Sequence, residues 1–409
     1  MSVECLNTVL QQDLDNLNLK GSAKGAEKVI TGMKSAEGTK GPRYFIEGYG
    51  NKEFIKMNSN SYLGMSLHKD VIAAEEAAAQ KFGAGPGAVR FISGTYSPHI
   101  ALEKKLAQFH GRDAAMIFSS AYVTSMGVIV PLTTKETVFI SDALNHNCII
   151  QAMRLSRPIA KAIYKHNDMA DLEAKIKESI STGKRALVVT DGIFSMRGDN
   201  VPLAELVAVC KKYEDQFEEG LITIMDDSHG VGAFGDTGRG TEDYCGARVD
   251  IIIGTLGKAF GINGGYVVAS PTIIQYLRET APMYIYSNPI TVSEASAALK
   301  AVEILDSPEG LKILEHLKTM TLRFENGLKA NGYETIAGAH PVVPLMVRDT
   351  KRTSELVAFL TEHGVLGTGL NFPVVPKGDE EIRFQVSASH TETDIDYVLG
   401  VLKNYQETH

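Results

Sequence analysis

The chain has 409 residues, too many for one simple core, so a large and a small domain are expected. Its 44% apolar and 22% charged residues are ordinary for a soluble globular protein, and a net charge of −8 argues against nonspecific nucleic-acid binding. Cys5, Cys148, Cys210 and Cys245 form no Cys-x-x-Cys pair, and neither a basic apolar leader nor a run of about 18 apolar residues is present. A disulfide framework, a structural zinc site and a membrane span are therefore not expected, and a cytoplasmic location is.

Apolar residues at Leu6, Val9, Leu10, Leu14 and Leu17 predict a helix over 4–20. The stretch 20–41, rich in Gly, Lys and Ser, reads as a surface arm. Residues 54–57 predict a short strand, followed by helices near 69–82 and 99–110. From there strands alternate with helical spacing. Strands are predicted at 115–118, 137–140, 162–164, 186–190, 222–225, 250–253 and 265–269, with helices between the first two and at 169–180 and 202–215. Such alternation predicts an α/β fold with a mostly parallel seven-stranded sheet between helices, whose ligands sit at the carboxyl ends of the strands. Beyond about 290 the texture changes. Helices over 292–305 and 310–330, strands near 342–347 and 381–386, and a final helix near 392–404 predict a smaller α+β C-terminal domain. The expected division is an N-terminal helix and arm at 1–45, a large domain at 46–288 and a small domain at 289–409.

One charge stands out against this pattern. Lys258 lies in Gly254-Thr255-Leu256-Gly257-Lys258-Ala259, directly after the apolar strand 250–253. A lysine beyond a strand end is ordinarily a solvated charge. A phosphate loop is excluded, because Ile252 and Ala259 stand where glycine and a hydroxyl are required. The remaining reading is a lysine of depressed pKa that bonds a carbonyl cofactor such as pyridoxal 5′-phosphate, PLP. PLP needs a carboxylate beside its ring nitrogen, and the strand 222–225 runs into Asp226-Asp227-Ser228-His229. It needs a ring over its face, and His146 follows the strand 137–140. Its phosphate needs amides at a helix start, and Ser119-Ser120-Ala121-Tyr122 stands there, with Thr255 a further hydroxyl beside the lysine. Gly83-Ala84-Gly85-Pro86-Gly87-Ala88 matches a dinucleotide pattern, but it follows a helical stretch and contains Pro86, so it is rejected as one. No metal-binding motif is present.

These residues carry a resemblance. Asn60-Ser61-Tyr62-Leu63-Gly64, Ser141-Asp142-Ala143-Leu144-Asn145-His146, Asp226-Asp227-Ser228-His229, Gly238-Arg239-Gly240 and the Lys258 segment occur in the order found in the α-oxoamine synthases. That family comprises PLP enzymes of fold type I, the aspartate-aminotransferase fold. The resemblance runs from about residue 45 to the C-terminus, and the glycine C-acetyltransferase branch is most similar through Pro373-Val374-Val375-Pro376-Lys377-Gly378, Arg383 and Ser387-Ala388-Ser389-His390-Thr391.

The resemblance implies roles. Lys258 bonds the cofactor and later moves the Cα proton; Asp226 pairs with the ring nitrogen; His229 bonds the phenolic oxygen; His146 stacks on the ring. Ser120, Ala121, Tyr122, Ser195 and Thr255 line the cofactor, and Tyr286 with Ser287 reaches a phosphate across a homodimer interface. Arg383 and Asn60 hold the amino-acid carboxylate. Val89 and Phe91 stand where relatives that use succinate carry polar residues, which favours an apolar acyl group. The implied reaction condenses an amino acid, glycine first, with an acyl-CoA, acetyl-CoA first. The alternative is a decarboxylating relative that uses serine, alanine or a longer acyl-CoA, as serine palmitoyltransferase or 8-amino-7-oxononanoate synthase does. Ser195-Met196-Arg197-Gly198-Asp199 leans toward the palmitoyltransferase. A catalytically silent binding protein on the same fold is the non-enzyme alternative, and the intact Lys258, Asp226, His229 and Arg383 argue against it.

Overall fold

A computed structural model of the chain describes residues 2–20, 23, 25–336, 338–372 and 374–409. Three positions of the predicted arm (Gly21, Ser22 and Lys24) and Pro373 of the resemblance motif lie outside the described residues.

Seven strands build the main sheet: β1 (Ala114–Phe118), β2 (Thr137–Asp142), β3 (Ala160–Tyr164), β4 (Arg185–Asp191), β5 (Leu221–Asp226), β6 (Ile251–Thr255) and β7 (Gly265–Ala269). Their order is β1-β7-β6-β5-β4-β2-β3. Only β7 runs antiparallel to its neighbours, β1 and β6; all other pairs are parallel. Sheet and topology match the expected mostly parallel seven-stranded α/β architecture.

The sequence explains why these strands are unbroken apolar runs. Alternate side chains enter two separate cores, one on each face. Ala115, Ile117 and Ile252 join one core, whereas Met116, Phe118, Ile251 and Ile253 join the other. Strands with no face left to solvent need no polar alternation; the edge strand β3 exposes Lys161 and Ile163 instead. The register then aligns the strand ends, with Asp226 opposite both Asp191 and Ile253. Asp142, Asp191, Asp226 and Thr255 all close their strands at one rim.

A second, antiparallel sheet contains β8 (Glu334–Thr335), β9 (Val342–Met346), β10 (Thr368–Leu370) and β11 (Glu381–Gln385), ordered β8-β9-β11-β10. The helices Pro308–Ala330, Thr350–Glu362 and Glu392–Thr408 accompany it. The helix Val292–Leu305 packs on Lys69–Phe82 and Ser97–Phe109 of the larger unit, and the short strand Ile55–Lys56 pairs in parallel with Val365–Leu366.

Several elements escape the periodicity reading: the helices Asn147–Ser156, Pro271–Thr280 and Thr350–Glu362, and a hairpin in which Ile30–Lys34 pairs antiparallel with Arg43–Ile46. The arm is thus partly sheet. The N-terminal helix forms as expected, over Ser2–Leu19, but none of its residues is buried within the chain. Among the described residues no helix is long and apolar enough to cross a membrane.

Candidate active site

Lys258 follows β6 through the turn Leu256-Gly257, and its side chain enters a cavity of ≈ 360 Å³ at the sheet rim. Tyr122, His146, Asp191, Ser195, Asp226 and His229 are among the other residues lining it. Burial lowers the pKa of Lys258, against the opposing carboxylates of Asp226 and Asp191.

The tandem Asp226-Asp227 separates into two tasks. Asp226 Oδ2 accepts from Ser125 Oγ at 3.1 Å and from Cys148 Sγ at 3.4 Å, while Oδ1 accepts from the Ser228 amide at 3.1 Å. Its carboxylate is thereby fixed and directed at the cavity. Asp227 turns inward and accepts from the Thr241 amide at 2.7 Å and from Thr241 Oγ1 at 2.6 Å. Glycine is required around it: a Cβ on Gly192, Gly230 or Gly240 would lie within 2.2 Å of a carboxylate oxygen of Asp227. Burial pushes the Asp227 pKa up to about 7, with the two Thr241 bonds opposing.

Both histidines are held neutral. Burial lowers the pKa of His229 well below its ordinary value, and the nearby Lys258, His340 and Arg383 add to the shift. Its Nδ1 lies 2.8 Å from the buried Tyr62 hydroxyl, and its carbonyl accepts from His340 Nε2 at 2.8 Å. Burial also lowers His146, with Asp226 opposing. The His146 amide donates to Asp191 Oδ2 at 2.8 Å, which secures the ring at the start of helix Asn147–Ser156.

Ser120 is the N-cap of helix Ala121–Leu132, its Oγ accepting from the Val123 amide. That helix start approaches β7 so closely that a Cβ on Gly265 would meet Ala121 N at 2.4 Å. Thr255 Oγ1 donates to the Gly264 carbonyl at 3.3 Å and accepts from the Gly257 amide at 3.1 Å.

Across the cavity, β11 brings Arg383 to Ser195, whose carbonyl accepts from Nη1 at 3.1 Å. Gln385 lies two residues on, on the same face. With its amide oxygen turned to Arg383, it accepts from Nε and Nη2 at 3.0 Å; in the opposite orientation its Nε2 instead donates to Asn60 Oδ1 at 3.2 Å. Asn60 and Arg383 therefore flank one amide, which bonds either of them according to its orientation.

Lys258, Asp226, His229, His146, Ala121, Tyr122 and Ser195 meet in one cavity. Ser120, Thr255, Arg383 and Asn60 are not among its lining residues; Arg383 reaches it from the second sheet through the Ser195 carbonyl, and Asn60 from a loop through Tyr62, which hydrogen-bonds both Asn60 Oδ1 and His229. Val89, Phe91, Tyr286 and Ser287 are not among the cavity's lining residues. Phe91 is 64% exposed, Tyr286 is 79% exposed, and Ser287 Oγ donates only to the Asn288 carbonyl. Sequence reasoning missed Tyr62, Ser125, Cys148, Asp191 and Gln385. Tyr62 lies inside a quoted motif, and Gln385 shares the strand alternation of Arg383, so those two were within reach.

Comparison with known proteins accords with this geometry. Residues 52–402 match the family model for class I and II aminotransferases. The mitochondrial 2-amino-3-ketobutyrate coenzyme A ligase of Homo sapiens is 38% identical over 394 residues, 96% of this chain and 90% of that protein. The 8-amino-7-oxononanoate synthase of Thermosipho melanesiensis is 36% identical over 395 residues, 96% of each. A serine palmitoyltransferase from S. paucimobilis, solved with PLP and myriocin bound, superposes with a TM-score of 0.85 at 27% identity, covering 98% of this chain and 97% of that one. Fold and site together define a PLP-dependent acyltransferase. The chain belongs to the α-oxoamine synthase family.

The lining fits that cofactor on its own chemistry. A half-buried lysine, a fixed carboxylate and a neutral imidazole face one cavity, and the buried Ser228 Oγ, also lining it, has no partner among the described residues.

Proposed function

We propose that the chain condenses glycine with acetyl-CoA, releasing CoA and an α-amino-β-keto acid. The observation that carries this reading is the cavity in which Lys258, Asp226, His229 and His146 meet, with Arg383 presented from the second sheet. The 38% identity to the coenzyme A ligase and the apolar Val89 and Phe91 favour glycine and an uncharged acyl group.

PLP, when bound, supplies an aldehyde for the amino group and a ring that takes up the electron pair left at Cα. Lys258, whose pKa burial lowers, would hold that aldehyde and, once freed, would take the Cα proton. Asp226 would hold a proton on the ring nitrogen; His229, fixed by Tyr62, would bond the phenolic oxygen, and His146 would cover the ring. Ser120, Ala121 and Tyr122 offer the phosphate a helix start, with Thr255 and Ser195 completing the lining. Arg383 and Asn60 hold the substrate carboxylate. A carbon–carbon bond forms between Cα and the acyl carbon as the carbon–sulfur bond breaks and CoA leaves as the thiol.

We further propose a homodimer in the cytoplasm, divided as 1–45, 46–288 and 289–409, with Tyr286 and Ser287 completing the partner's phosphate site. The exposed apolar stripe of helix Ser2–Leu19 and the exposure of Phe91 and Tyr286 support pairing.

Purified protein is expected to be yellow and to change colour when glycine is added. Lys258→Ala abolishes multiple turnover of acetyl-CoA and the resting colour. Retained turnover would remove Lys258 from the mechanism.

A further inference from the structure

Beside the lysine cavity lies a larger cleft of ≈ 1120 Å³, and His146 and Ser195 line both. Leu144, Phe194 and Met196 give it one apolar wall; Met346, Val374 and Val375 give it another. Of its charged residues, two are answered within the chain. Arg197 Nε pairs with Asp199 at 3.0 Å, and Asp379 pairs with Arg348 at 2.6 Å.

Glu381 is different. It lines the cleft and is only 2% exposed, yet its Oε1 has no hydrogen-bond partner among the described residues. On β11 it stands two residues before Arg383, so the two side chains share one face, about 7 Å apart along the strand, while Ile382 enters the core behind. Burial pushes the Glu381 pKa up to about 8; Arg383, Arg197 and Arg348 oppose that shift, and Asp379 adds to it. A buried carboxyl left unsatisfied in an apolar wall is costly, and packing gives no reason to keep one. A ligand group that donates a hydrogen bond gives one.

We propose that this cleft receives the chain of the acyl-CoA donor and that Glu381 selects the donor, accepting a hydrogen bond from an N–H or O–H on that chain. The inference rests on the acyltransferase reading. Two parts of a donor carry such a group: the amide N–H groups of the pantetheine arm, common to every acyl-CoA, and a hydroxyl on the acyl chain itself. Either way, an acyl chain ending in a carboxylate is disfavoured, because Arg197 and Arg348 already pair with Asp199 and Asp379 and the apolar walls leave a buried carboxylate without a partner.

The test compares Glu381→Leu and Glu381→Gln holoenzymes with the parent, using acetyl-, hexanoyl- and 3-hydroxyhexanoyl-CoA with glycine. Glu381→Leu is expected to raise the donor KM at least tenfold while the glycine KM and the Tm stay put. Glu381→Gln, which keeps an acceptor oxygen, stays within about threefold. A rise common to all three thioesters, matched by weaker calorimetric binding of free CoA, assigns the partner to the pantetheine amides. A rise confined to the hydroxylated thioester assigns it to the acyl chain. Unchanged KM for all three in Glu381→Leu overturns the proposal. The parent enzyme gives a reading that needs no variant: adipoyl-CoA is expected to have a kcat/KM at least tenfold below that of hexanoyl-CoA, and equal values overturn the exclusion. Failure of the acyltransferase reading looks different, since the parent then releases CoA from no thioester, and the proposal falls with it.

Discussion

A lysine with an ordinary pKa would be charged near neutrality and could neither bond an aldehyde nor take a proton. The cavity at the sheet rim lessens that obstacle by desolvation, which outweighs the pull of Asp226 and Asp191 and lowers the pKa of Lys258. The two histidines are treated alike: burial leaves both rings uncharged where a cation would oppose a protonated pyridine. Arg383 is prepared differently. The Ser195 carbonyl and the Gln385 amide hold its guanidinium in place before any substrate arrives. Arg383→Ala is therefore expected to raise the amino-acid KM roughly 100-fold, the equivalent of about 3 kcal/mol in charge-assisted hydrogen bonds. Steady-state kinetics with varied glycine measures this, and an unchanged KM would take Arg383 out of the carboxylate site.

At the scale of elements, the rim is made by strands that end together. Asp227 locks the loop after β5 to Thr241, and three glycines make room for its carboxylate. Gly240 also has φ +91°, a region that side chains rarely adopt. Gly240→Ala is expected to destabilise the fold by about 3 kcal/mol, read as a lower denaturation midpoint; a midpoint within error of the parent would show that the loop can rearrange.

A second lock acts through His166, whose Nδ1 lies 3.0 Å from Asp142 and whose Nε2 lies 3.2 Å from Asp199. Burial pulls its pKa down, but the two carboxylates outweigh that and hold it up at about 9. A folded-state pKa above the unfolded value of about 6.5 gives stability that is complete below that pH and is lost as pH rises through about 9. His166→Gln is expected to flatten this part of the stability profile, measured by urea unfolding between pH 6 and pH 10. An unaltered slope would contradict the paired carboxylates.

Legibility followed the same physics. The strands were readable because burial on both faces fills most of them with apolar residues; the edge strand β3, with Lys161 and Ile163 exposed, is the exception. Lys258, Asp226 and His146 were readable because each directly follows such a strand. The helix Asn147–Ser156 was missed although Cys148, Ile149, Ala152 and Met153 give it a buried face at helical spacing. Ser125 and Cys148 were invisible as supports of Asp226, because nothing local marks which residues of a helix will meet a strand end far away in sequence. The inward turn of Asp227 was equally hidden, since two adjacent aspartates look alike until Thr241 and the glycines are in place.

For the molecule as a whole, the site belongs to neither sheet alone. The main sheet supplies Lys258, Asp226 and the histidines; the second supplies Arg383, and the cleft holding Glu381 lies between them. Relatives 36% and 38% identical to this chain carry different names, so family membership alone does not choose the acyl donor. The most direct measurement is CoA release from acetyl-, succinyl- and longer acyl-CoA thioesters with glycine, serine and alanine, with the mass of each product determined. Fast turnover of glycine with acetyl-CoA, its carboxylate retained in the product, is the expected result. Preference for serine, alanine or a longer acyl chain, with carbon dioxide lost, would contradict the glycine acetyltransferase reading and place the chain among the decarboxylating members of its family.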